Sequence, residues 1–203
     1  MARQTIVWVK PDPLGAESAD VTIGRGRLTA NGIAIGSRPL GYRLDYKLET
    51  LAGYVTSGLF VVARGEGWQR KLDLRRTLRS GRWTVRTSAR GEVDLPLPGG
   101  DMTAIDGALD CDLALSPLTN TMPVLRHGLL EGGGPFEFLM AWVSVPDLRV
   151  IPSRQRYVFV RKQGNHSIVR YESSSRDFVA ELTFDRDGLC IDYPGIGRRA
   201  DLE

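Results

Sequence analysis

The chain has 203 residues, 42% of them hydrophobic, and a formal net charge of +3, an ordinary balance for a folded chain with a sizeable core. Two cysteines, Cys111 and Cys190, stand far apart in no metal or redox spacing, which excludes a disulfide scaffold and reads as two reduced thiols packed as small apolar residues. Met1 to Pro11 holds no long apolar run, and no window reaches the roughly 18 apolar residues of a membrane helix, so a cytoplasmic protein without membrane insertion is expected.

Thr5 to Lys10 alternates and reads as a first strand, stopped by Pro11-Asp12-Pro13-Leu14-Gly15 because proline removes ladder donors. Asp20 to Thr29 reads as the second. Asn31-Gly32 is a two-residue hairpin signal, with Ile33-Ala34-Ile35 starting the return strand. Tyr42, Leu44, Tyr46 and Leu48 alternate with Arg43, Asp45, Lys47 and Glu49, the period of a half-buried antiparallel strand. Tyr54 to Ala63 follows, then the turn Gly65-Glu66-Gly67.

Trp68, Arg70, Leu72, Leu74 and Leu78 share the next strand face, and Trp83, Val85 and Thr87 share the one after Ser80-Gly81. Arg64 to Arg90 holds nine basic residues and two acids, and Lys71, Arg75, Arg79, Arg82, Arg86 and Arg90 order the excess on the opposite, polar face. Such an excess attracts anions. A nucleic-acid site, however, wants aromatics interleaved with the charges, and here Trp68 and Trp83 fall on the apolar side. A solvated sheet face is the preferred reading, and no nucleic-acid partner is expected.

The least generic stretch runs from Asp110 to Arg126. Asp110 and Asp112 are two apart and share a strand face. Paired carboxylates suit acid–base or metal chemistry, but they also serve as partners for arginines, and Arg126 is the obvious local one. Asn120 or Thr121 caps a short helix with Pro123 at its first position, the alternative being an extended crossing.

Phe136 to Val145 is a strongly apolar strand stopped by Pro146, and Leu148 to Ile151 is short. Gln155, Tyr157, Phe159 and Arg161 alternate with Arg156, Val158, Val160 and Lys162. Gly164-Asn165, Ser173-Ser174-Ser175 and Asp187-Gly188 separate the last strands, and Pro194-Gly195 ends them. About a dozen short strands at even spacing, with no long helical period, give an all-β chain. Consecutive hairpins favour a single large antiparallel sheet that curls, in one domain over residues 1–203, with at most one or two short helices.

His127 and His166 are isolated, and there is no nucleophile elbow, phosphate loop or zinc spacing, so no metal and no cofactor are expected. A curled sheet of this kind either fills with its own side chains or encloses a ligand.

One family resemblance sharpens this. The run Asp110-Cys111-Asp112-Leu113…Pro117-Leu118-Thr119-Asn120-Thr121-Met122-Pro123…Arg126 is similar to the signature of the bacterial family described as "putative glycolipid-binding", formerly a domain of unknown function. Pro146-Asp147-Leu148, Gln155-Arg156-Tyr157, Tyr171-Glu172-Ser173 and Asp187 to Gly195 resemble its downstream segments, and Gly81 to Trp83 its G-x-W. Leu125 stands where the family pattern has a first basic residue before Arg126. The resemblance implies a spiral β-roll, like the half-open barrels of bacterial lipoprotein carriers that hold acyl chains. It implies a non-catalytic protein whose partner is a glycolipid or other amphiphile. Asp110, Asp112, Asn120, Arg126, Gln155, Tyr157, Tyr171 and Asp192 are the candidate polar contacts. An enzyme acting on a sugar or lipid head group through Asp110 and Asp112 is the alternative, and a nucleic-acid binder using the Arg64–Arg90 face a second.

Overall fold

A computed structural model describes residues 2–200. Fourteen strands lie in one continuous sheet that curls without closing, as the strand pattern predicts. In chain order they are β1 (Ala2–Lys10), β2 (Gly15–Gly24), β3 (Arg27–Gly36), β4 (Tyr42–Thr50), β5 (Thr56–Gly65), β6 (Trp68–Arg76) and β7 (Trp83–Arg90), then β8 (Asp110–Leu113), β9 (Phe136–Val143), β10 (Val150–Gln163), β11 (His166–Ser173), β12 (Phe178–Phe184), β13 (Cys190–Tyr193) and β14 (Gly197–Arg199). The helix α1 (Thr121–Arg126) and short 3-10 turns complete the described elements.

The spatial order β7-β6-β5-β4-β3-β2-β1-β14-β13-β12-β11-β10-β9-β8 is two meanders set back to back. They meet where β1 pairs with β14, Trp8 opposite Arg199 and Val9 opposite Arg198. The join is short, so side chains reinforce it. The indole of Trp8 is fully buried and donates to the Cys190 carbonyl at 2.8 Å. β14 has only three residues and follows Pro194-Gly195, where the sequence pattern ends the sheet. A segment that short has no readable period.

The first meander follows its alternation closely. Tyr42, Leu44, Tyr46 and Leu48 point inward, with Leu59, Leu72 and Leu74 facing them from β5 and β6. Each fully buried leucine contributes about 2 kcal/mol. Trp68 and Trp83 are buried, while Leu78, expected on the Trp68 face, lies beyond the end of β6 and is exposed.

Asn31-Gly32 is not a hairpin. β3 runs unbroken through it, and the turn falls at Arg25-Gly26, both with left-handed φ (53° and 70°). Gly32 serves the interior instead. The inner face of β3 is Ala30, Gly32, Ala34 and Gly36, and the rings of Tyr46 and Tyr42, one strand over, lie across Gly32 and Gly36. Trp68 covers Gly65 in the same way. Glycine in a strand thus marks a ring crossing rather than a turn.

Every strand pair is antiparallel except β8–β9, which is parallel, with Asp110 opposite Met140 and Asp112 opposite Trp142. A parallel pair needs a long crossover, and residues 114–135 supply it. The Asp110–Arg126 stretch is therefore a strand and its crossover. Pro117 opens a 3-10 turn (Pro117–Asn120) that leads into α1. Pro123 consequently sits at the third helical position, and the Asn120 side chain is turned away from capping. The free edge of β8 is covered by β5: Thr56 N–H donates to Leu109 O at 3.0 Å, and its hydroxyl accepts from Cys111 N–H at 3.1 Å. Among the described residues, no helix is long and apolar enough to cross a membrane.

Candidate functional site

The crossover lies over the inner face of the second meander, and several of its polar side chains hold it there. Arg126 grips Asp110 through both Nη atoms, Nη1 donating to Oδ1 at 3.0 Å and Nη2 to Oδ2. Thr119 Oγ1 donates to Asp112 Oδ1 at 2.8 Å, and Gln155 Nε2 donates to Asp112 Oδ2 at 2.6 Å. Tyr157 OH donates to Asn120 Oδ1 at 2.8 Å and lies 3.1 Å from Gln155 Oε1. Asp110, Asn120, Gln155, Tyr157 and Tyr171 are each buried.

These contacts decide the chemistry of the two carboxylates. Burial pushes the Asp110 carboxyl up to about 6, against the pull of Arg126. Such a value suits a general acid, but the group is sealed from solvent and bound bidentately. Asp110 is thus shielded from any substrate. Both oxygens of Asp112 already accept short hydrogen bonds. Among the described residues, no group of three or more His, Cys, Asp or Glu side chains is positioned to hold a metal ion. Cys111 and Cys190 are buried free thiols, the first pushed up to about 12 by burial, so neither is an activated nucleophile.

Beside the crossover the curled sheet leaves a cavity of about 330 Å³. Leu113, Leu115, Trp142, Val145, Phe178 and Ile196 supply its apolar wall, and Asp112, Ser116 and Arg176 its polar part. Leu115 is held at φ 61°, a left-handed conformation that a leucine adopts only under constraint, and its side chain is part of this wall. Behind the wall runs a chain of edge-to-face aromatics in which Tyr171 contacts both Tyr157 (5.2 Å between centroids) and Tyr193 (5.8 Å). A larger groove, about 620 Å³, lies along β9 to β12 and has a mixed lining: charged Glu137, Arg154, Arg156 and Glu172 beside apolar Phe138 and Phe178, with Gln155 also reaching it.

Of the eight residues singled out from sequence, Asp112 lines the cavity. Asp110, Asn120, Arg126, Gln155 and Tyr157 belong to the bracing described above, Gln155 also lining the larger groove. Tyr171 OH accepts from Arg176 Nη2 at 2.5 Å, so it orients a cavity residue. Asp192 sits apart on β13, opposite Thr183 and Arg198 in the ladder. Trp142 and Arg176 line the cavity without being among the eight. Trp142 continues the period of two that runs through Phe136, Phe138 and Met140, a signal that was there to read. Arg176, in the turn between β11 and β12, had no local signal at all.

Most of the Arg64–Arg90 stretch faces outward, but Arg70 is buried and Arg76 turns to the Ala108 carbonyl. Arg64 pairs with Asp45, and Arg75 with Asp73 and Glu49. Arg86 and Arg90 are exposed on β7, an edge strand, where charge discourages pairing with a second sheet.

The comparisons with known proteins agree with this architecture. No curated protein matches the chain. Among solved structures it is similar to the crystal structure of a DUF1089 family protein from Pseudomonas aeruginosa, with a TM-score of 0.68 and 30% identity over 92% of each chain. The family model described as "Putative glycolipid-binding" matches residues 5–199, from within β1 to the end of β14, and the chain belongs to that family.

Proposed function

We propose that the protein binds an amphiphile, in the family's terms a glycolipid, and holds it without chemical change. The cavity beside the crossover carries this reading. Its volume of about 330 Å³ is at the small end of the range typical of small-molecule sites. Its wall is apolar on one side, where Leu115, Trp142, Phe178 and Ile196 suit an acyl segment, and polar where Asp112 and Arg176 suit a head group. The saturated carboxylates and shielded thiols favour binding over catalysis. The buried, unpaired thiols also fit a reducing compartment, which supports a cytoplasmic setting.

The test is native mass spectrometry of protein purified from cells, followed by titration with amphiphiles. Lipid adducts or uptake, lost when Ala114→Trp fills the cavity, are expected. A clean unliganded mass, together with no uptake of any amphiphile, overturns the proposal.

A further inference from the structure

We infer that the ligand's head group carries an oxyanion, a phosphate, sulfate or carboxylate, and that Arg176 is the residue that meets it; this rests on the binding role proposed above. Among the described residues, Arg176 is the one cationic side chain in the cavity lining, and Asp112 the one acidic one. The two are not equivalent. The Asp112 side chain is 14% exposed and the Arg176 side chain 31%, so the arginine stands on the solvent side of the acid. Each oxygen of Asp112 already accepts a hydrogen bond of 2.8 Å or less, from Thr119 and Gln155, so the acid is turned to the crossover and to β10 while the arginine keeps donors to spare. Arg176 Nη2 lies 3.9 Å from Asp112 Oδ2, a long ion pair without a hydrogen bond, and its hydrogen bonds go elsewhere.

Beyond that ion pair, the guanidinium is held by uncharged partners. Its carbon sits 4.8 Å from the centroid of the Trp142 ring, Nη1 donates to Ser153 Oγ at 3.2 Å, and Nη2 donates to Tyr171 OH. An arginine has five N–H donors, and here Nε and the second hydrogen on each Nη have no protein acceptor among the described residues. A planar fork with free donors, stacked on an aromatic ring at the mouth of an apolar cavity, is matched by an oxyanion attached to an apolar chain. Because the fork is already oriented, little conformational freedom is lost when the anion binds.

The experiment measures binding of monomeric C12 amphiphiles by Trp fluorescence and calorimetry, comparing dodecyl phosphate, dodecyl sulfate and laurate with the neutral dodecyl maltoside and the cationic dodecyltrimethylammonium. The acidic members are expected to bind about tenfold or more tightly than the neutral one, the scale of a charge-assisted hydrogen bond. Arg176→Gln is expected to bring the acidic and neutral affinities to within about twofold of each other. The ratio within one variant is its own control for folding, and Arg176→Lys, which keeps the charge but not the fork, is expected to retain part of the preference. Inorganic phosphate at millimolar concentration is expected to compete with dodecyl phosphate in the wild type alone, separating head-group capture from chain burial. Equal binding of neutral and acidic chains, or a preference that survives Arg176→Gln, overturns the inference and leaves the cavity reading standing. Failure of every amphiphile to bind overturns both.

Discussion

Ser116 donates a 2.6 Å hydrogen bond to the buried carboxylate of Glu17, a residue 99 positions earlier in the chain. Tyr46 OH donates to the same oxygen at 2.7 Å, and Lys10 Nζ donates to the other at 2.9 Å. The crossover that walls the cavity is thus pinned to the first meander through one carboxylate. Glu17→Ala leaves the Lys10 ammonium buried and unpaired, and a loss of about 3–5 kcal/mol is expected. Urea unfolding measures it; a loss below about 1 kcal/mol means the pin carries little of the assembly.

Gly32 bears the ring of Tyr46, and a methyl group there overlaps the aromatic carbons. Gly32→Ala is expected to cost about 1–3 kcal/mol through overpacking. The diagnostic is non-additivity. In a double-mutant cycle with Tyr46→Ala, the glycine substitution is expected to become close to neutral, whereas additive losses indicate a backbone effect unrelated to the ring.

Asp110 gives a pH dependence of unusual sign. Its carboxyl, ordinarily near 3.8, is raised by burial to about 6 in the folded protein. Below about pH 4 both folded and unfolded states hold the proton. Between about 4 and 6 only the folded state holds it, so stability declines as pH rises through this window. Relative to Asp110→Asn, which does not titrate, the wild type is expected to lose on the order of 2 kcal/mol between pH 4 and pH 7. A difference that grows with rising pH instead means the Arg126 pairing outweighs desolvation.

Leu115 separates wall from backbone. Leu115→Gly relieves a left-handed conformation costing about 1–2 kcal/mol while removing part of the cavity lining. The thermal midpoint is expected to change little, and affinity for dodecyl phosphate to fall several-fold. Unchanged affinity places the bound chain elsewhere.

The sequence by itself determined the class of fold. A period of two at Tyr42–Glu49, repeated along the chain, allows only strands with one buried face, and nothing in the chain offers a helix long enough to compete. The Asp110–Arg126 signature marked the family and even the local ion pair, since Arg126 is the arginine nearest in sequence to the two aspartates. What tertiary structure alone decided are the relations between distant strands. β1 pairs with β14 because two meanders must meet somewhere, and a three-residue strand carries no pattern to announce it. Gly32 reads locally as a turn, and only the ring of Tyr46 from the neighbouring strand explains why the chain runs straight through it. Arg176 was invisible because a guanidinium in a serine-rich turn becomes a site only when folding sets Trp142 beneath it and Tyr171 beside it. Alternation records which way a side chain points; which other side chain it meets depends on how the sheet curls.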